Sequence, residues 1–215
     1  MNRQPIKFYR APLSGHCHRV QLLMSVLELQ YDIIEVDLAG GEHKRAPFLQ
    51  LNAFGQVPVI DDNGLVLADS NAILVYLAKH YGGEQWLPDD AVGAAHVQRW
   101  LSAAAGPVAY GLCRARLVTV FGAPYDPEEV IAHGHQFLKV MEQELDQREW
   151  LAGDSATLAD IAHYAYVAHA PEGNLSLDAY PNVRAWLTRV EGIEGFVPMG
   201  RSVAGLVAAA DMPPL

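Results

Sequence analysis

The chain has 215 residues, with 15 basic and 25 acidic side chains and a formal net charge of −10. That balance, with no basic cluster, excludes nucleic acid and anionic membrane surfaces as natural partners. The length allows one large domain or two smaller ones with a sizeable core. The two cysteines, Cys17 and Cys113, lie far apart, so a reducing cytoplasm is expected and a disulfide framework is not. The start of the chain lacks the apolar core of a signal peptide, and no apolar run reaches the length of a membrane span. No His, Cys, Asp and Glu stand at metal-ligand spacing, so no metal is expected.

Residues 6–9 read as a short strand, followed by a loop at 10–15. Val20, Leu23, Met24 and Leu27 recur at i, i+3, i+4 and i+7 and predict a one-sided helix over roughly 16–28. Residues 31–36 form a second strand, and a strand–helix–strand unit of this length predicts a crossover with parallel strands. A polar loop at 40–44 and one helical turn at 47–51 come next. Two β-rich runs, ending at Ile60 and starting at Leu65, then flank a turn containing Asn63-Gly64, which signals a hairpin. Ile73, Tyr76, Leu77 and Tyr81 mark a helix from Ser70 to about His80. This β-α-β-α-β-β-α order is the thioredoxin-like arrangement, with a mixed four-stranded sheet.

Residues 82–88 read as a linker. Beyond it helical periodicity dominates, so the expected domains are 1–81, thioredoxin-like, and 89–215, an all-helical bundle. One long helix is expected over roughly 89–120 with a break at Gly106-Pro107. Val130, Phe137, Leu138, Met141 and Leu145 mark another. Thr157-Leu158-Ala159-Asp160 is a capping box that opens a helix to about Ala170. Pro181 starts a helix on Val183, Trp186, Leu187 and Val190, and 201–210 reads as a weak terminal helix.

The hairpin carries the first chemical signal. Pro58 cannot donate to a ladder and pushes Val57 to an extended conformation. The expectation is a cis Val57–Pro58 bond, with the N–H and C=O of Val57 unpaired and open to an extended peptide. At Asp69-Ser70 a helix start offers free N–H groups to a carboxylate, and Asp69 offers an anion to an ammonium group. The same residues also read as a plain hairpin with a serine N-cap.

Residues 51–59, Leu-Asn-Ala-Phe-Gly-Gln-Val-Pro-Val, resemble the N-P-F-G-Q-[VI]-P run of the cytosolic glutathione S-transferase family. Residues 68–73 resemble its [ED]-S-x-A-I run, and the Thr157 box resembles that of its helical domain. The likeness spans nearly the whole chain. Gly41-Glu42-His43-Lys44 and Ser14-Gly15 resemble the serine-type, theta-, delta- and phi-like bacterial branch. Ala53 stands where the family usually has Pro, and Asp69 where Glu is commoner.

The resemblance implies a transferase that holds glutathione as thiolate for attack on an apolar electrophilic small molecule, and a homodimer. It places Ser14 at the catalytic position. A free thiol has a pKa of roughly 8.5, and lowering it by about 2 units takes about 2.7 kcal/mol. Ser14 would donate its hydroxyl to the sulfur, helped by the helix N-terminus; no neighbouring base is evident. His43 and Lys44 suit the glycine carboxylate, Gln56 the peptide or that carboxylate, Val57 the peptide, and Asp69 and Ser70 the amino-acid head. Leu13, Tyr110, Phe121, Tyr164 and Tyr166 are candidate walls of the acceptor pocket. Arg114 and Arg116 read as surface salt-bridge residues or as attractors of an anionic acceptor. Phe54 reads as an interface or a core residue. Cys17, near the same helix end, reads as a small packing residue or as a redox thiol. Glutathione-dependent disulfide or peroxide reduction, and a non-enzymatic ligand-binding protein of the same fold, are the alternatives.

Overall fold

The computed structural model describes residues 4–210; the outermost stretches of the two expected domains, 1–3 and 211–215, lie outside the described residues. Four strands form one mixed sheet in the order β2-β1-β3-β4. Strand β1 (Ile6–Arg10) runs parallel to β2 (Tyr31–Glu35) and antiparallel to β3 (Val59–Asp62), which pairs antiparallel with β4 (Leu65–Ala68). The β3–β4 turn places Asn63 at φ 54° and Gly64 at φ 92°, the paired left-handed conformations that an Asn-Gly hairpin turn requires.

Helices α1 (Gly15–Val26) and α3 (Ser70–Leu77) lie together, and α2 (Ala46–Leu51) covers a small cluster of Val36, Phe48 and Val59. After Ala68 the described chain contains no further strand: α4 (Ala91–Ala105), α5 (Arg114–Phe121), α6 (Pro127–Leu145), α7 (Leu158–Ala168), α8 (Pro181–Glu191) and α9 (Gly205–Ala210) follow. The helix expected across 89–120 is broken at Gly106 and rejoined through a π-helical turn at Ala109–Cys113.

Helix α7 is the centre of the helical half. Its residues from Leu158 to Val167 are all buried. It starts on the capping box, in which Thr157 N–H donates to Asp160 Oδ2 at 2.9 Å. Asp160 also accepts from Trp186 Nε1 at 2.8 Å and from Leu151 N–H at 3.0 Å. One apolar cluster runs from Ile6 and Phe8 through α1 and α3 to α7 and Val190, so sheet, helix pair and bundle share a core.

Helix α1 corrects the one-sided expectation. It packs against both α3 and α7, so Cys17, His18, Arg19, Val20, Leu22, Leu23 and Met24 are all buried. A hydrophobic stripe reports one covered face; here two helices, which also touch each other, cover more of α1 than that stripe.

Candidate active site

The sheet register gathers the predicted residues. Tyr9 of β1 faces Val59 of β3, and Val59 faces Ala68 of β4. The loop after β1, the chain before β3 and the chain after β4 therefore leave the sheet at the same end. They carry Ser14, Val57 and Asp69-Ser70.

Ser14 is the N-cap of α1, and its Oγ accepts from the Cys17 N–H at 3.3 Å. That bond uses a lone pair and leaves the hydroxyl proton to donate elsewhere. Gly15 follows because Tyr166 from α7 lies against it: a Cβ there would stand 2.8 Å from the ring. Cys17 is 1% exposed, and the Ala11 N–H points at its Sγ at 3.4 Å. Burial pushes its thiol up to about 11, against the smaller pull of the Ser14 contact. It is a packing thiol, not a thiolate.

Val57–Pro58 is cis, and neither backbone group of Val57 has a hydrogen-bond partner among the described residues. Buried Asn52 shapes this stretch, donating from Nδ2 to the Gln56 carbonyl at 2.8 Å and accepting from Phe54 N–H at 3.0 Å. Lys44 Nζ donates to the Gly55 and Phe54 carbonyls at 2.8 and 3.2 Å, which ties the His43-Lys44 turn to the same loop. Gly55, at φ 57°, lets that turn approach: its Cβ would stand 2.6 Å from the His43 carbonyl. Gln56 and Lys44 are exposed, and His43 is half-buried.

The cap of α3 is Asp69, one residue before the serine expected there. It is exposed, sits at φ 71°, and its Oδ1 accepts from Ala72 N–H at 2.9 Å. Ser70 is buried, and its Oγ accepts from Arg19 Nη1 at 3.2 Å. Arg19 also donates to Asn71 Oδ1 at 2.9 Å, while its Nε and Nη2 are buried without a partner among the described residues. No periodicity singled out this guanidinium, because its burial depends on the partners that α3 and α7 bring to it. His16 Nδ1 lies 3.5 Å from Ser70 Oγ, and its ring meets Tyr166. Burial and the nearby Arg19 charge push His16 down to about 3, so it is neutral at physiological pH.

The candidate walls divide. Tyr166 lies buried under Gly15, and the Leu13 carbonyl is held by Arg116 Nη1 at 2.6 Å. Tyr110 and Phe121 are 52% and 54% exposed. Tyr164 is not brought to this group: it donates to Glu191 at 2.9 Å and packs on Phe196 and His18. Residues two apart on a helix point to different sides. The two arginines also differ from expectation. Arg114 is stacked between Tyr110 and Tyr125, with 4.5 and 4.7 Å from its guanidinium carbon to the ring centres. Arg116 makes a buried ion pair with Glu172 instead of a surface one.

Comparison with known proteins fits this arrangement. The family model for the N-terminal domain of glutathione S-transferase matches residues 4–79, and that for the C-terminal domain matches 121–194. Glutathione S-transferase 3 of Zea mays is 35% identical over 225 residues, covering 98% of this chain and 96% of its own. A solved glutathione S-transferase from Pseudomonas fluorescens superposes with a TM-score of 0.86 at 31% identity, covering 91% of this chain and 99% of its own. A glutathione transferase homologue from Lodderomyces elongisporus, solved with two GSH per subunit, superposes with a TM-score of 0.80 at 25% identity, covering 89% and 95%. The chain belongs to the glutathione S-transferase family. It is an enzyme that uses glutathione as co-substrate, activated as thiolate toward electrophiles.

Proposed function

We propose that Ser14 donates its hydroxyl to the glutathione sulfur and, with the α1 N-terminus, holds it as thiolate. The unpaired N–H and C=O of Val57 take the cysteinyl backbone as an added strand. Asp69 and the α3 N-terminus hold the γ-glutamyl head, with Ser70 beneath them. Lys44, His43 and Gln56 take the glycine carboxylate. Leu13, Tyr110, Phe121 and Tyr166 border the acceptor. The observation that carries this reading is the exit of Ser14, Val57 and Asp69 from one end of the sheet.

We further propose the serine-type, theta-, delta- or phi-like branch, on Ser14 and the His43-Lys44 turn. Residues 82–88 serve as linker between a glutathione-binding domain, 1–81, and a helical domain, 89–215. Trp86 supports this: it is buried, and its carbonyl accepts from Leu158 N–H at 2.9 Å. Phe54, 81% exposed, offers an anchor for a homodimer. Two buried free thiols suit the cytoplasm. A reductase acting through Cys17 is disfavoured by the raised pKa of that thiol.

Purified protein assayed on an aryl halide and on a glutathione mixed disulfide tests this. Ser14→Ala lowers conjugation at neutral pH by about tenfold or more, the worth of a hydrogen bond to a charged group, and Cys17→Ala leaves it intact. The reverse pattern, with disulfide reduction lost in Cys17→Ala, would overturn the assignment.

A further inference from the structure

Arg116 and Glu172 are both almost fully buried and meet at 2.7 Å, Nε to Oε2. A buried pair of charges is costly to desolvate, and hydrogen bonds from the surrounding groups offset that cost. Glu172 is completed by His169 Nδ1 at 2.6 Å, by Ser202 N–H at 3.1 Å and by Ser202 Oγ at 2.5 Å. A carboxylate only accepts, so His169 donates from Nδ1. Burial works against the charge, yet the bonds from Ser202, His169 and Arg116 hold the Glu172 carboxyl at about 2.

Arg116 is not completed in the same way. Its Nη1 donates to the Leu13 carbonyl at 2.6 Å, and its Nη2 is buried without a partner among the described residues. The fork is thus held in an orientation that serves Leu13 while one of its own donors goes unpaired. The Leu13 carbonyl and the Ser14 N–H belong to one planar peptide unit. Holding that oxygen fixes the plane from which Ser14 turns at φ −87°, and the Ser14 N–H completes the hold by donating to Ala11 at 3.1 Å.

We infer that Arg116, oriented by Glu172, is a positioning residue for the Ser14 hydroxyl. It reaches from α5 to the loop before α1, and Ser202 brings the C-terminal segment into the same network. The inference rests on the reading of Ser14 as the thiolate donor.

The test is the pH profile of kcat/KM for an aryl halide at saturating glutathione, in wild type, Ser14→Ala, Arg116→Lys and the double variant. Lysine keeps the charge for Glu172 but cannot hold both oxygens in a fork. Arg116→Lys is expected to move the acid limb to higher pH, by less than Ser14→Ala does, with the KM for glutathione little changed. The double variant is expected to match Ser14→Ala alone, because both changes act through one hydroxyl. A wild-type limb in Arg116→Lys overturns the inference. So does a double variant whose shift adds the two, because Arg116 would then act without Ser14. A wild-type limb in Ser14→Ala overturns the donor reading itself and is seen separately. Should Arg116→Lys not fold, isosteric Glu172→Gln replaces it, with the same upward shift expected and an unmoved limb overturning the claim.

Discussion

Asp69 holds a backbone conformation that costs a non-glycine residue on the order of 1–3 kcal/mol. Its φ of 71° persists while its carboxylate caps α3 from an exposed position. Asn tolerates a positive φ and caps as well as Asp, so Asp69→Asn removes the charge alone. Glutathione affinity is expected to fall by about 1.5–3 kcal/mol with the melting temperature unchanged. Calorimetry giving wild-type affinity would remove Asp69 from contact with the ammonium group. Gly15 makes a different demand. Its hydrogen faces the Tyr166 ring, and a methyl group would stand 2.8 Å from a ring carbon. Gly15→Ala is expected to cost about 1–3 kcal/mol by overpacking, read as a lower urea midpoint. An unchanged midpoint would mean that the ring yields.

At the level of elements, Thr157 tests whether the cap of α7 supports the fold without serving the site. Thr157→Ala is expected to lose about 1 kcal/mol of stability and to leave glutathione affinity as it was; altered affinity at full stability would contradict that separation. The elements most legible in the sequence were those specified by local chemistry. The Asn63-Gly64 turn, the Thr157 box and the Gly106 break each follow from the conformations that their own residues allow. The motifs pointed to Ser14 and Asp69, and both stand at helix N-termini as caps. What was hidden depends on neighbours distant in the chain. The burial of Arg19 comes from α3 and α7 together: it bonds Ser70 and Asn71 of one and faces the Tyr166 ring of the other. The Arg116–Glu172 pair joins residues 56 positions apart. Tyr164 and Tyr166 read alike by composition, and only the packing of α7 sends them to different partners.

Across the whole molecule, three histidines are held neutral, two of them, His18 and His163, buried in the core. Burial pushes His18 down to about 4 and His163 and His16 down to about 3, from an ordinary value of 6.5. Below that ordinary value the unfolded chain binds protons that the native protein does not. Stability therefore rises with pH in this window, by up to about 1.4 kcal/mol per unit for each fully buried histidine. It is expected to be intact above 6.5 and lost progressively toward 3–4. Glu172, held at about 2, extends the loss below the usual carboxylate range. Asp160, raised by burial, offsets part of it by taking up a proton first in the native state. Urea unfolding with equal stability at mildly acidic and neutral pH would contradict the histidine account. The central proposal is one chemical task, holding the glutathione sulfur as thiolate beside Ser14. The direct measurement is the ultraviolet absorbance of the thiolate in the glutathione complex, titrated against pH for wild type and Ser14→Ala. The account predicts a wild-type midpoint about 2 units below the free thiol and a Ser14→Ala midpoint roughly one to two units higher than wild type. Superimposable curves for the two proteins would contradict it.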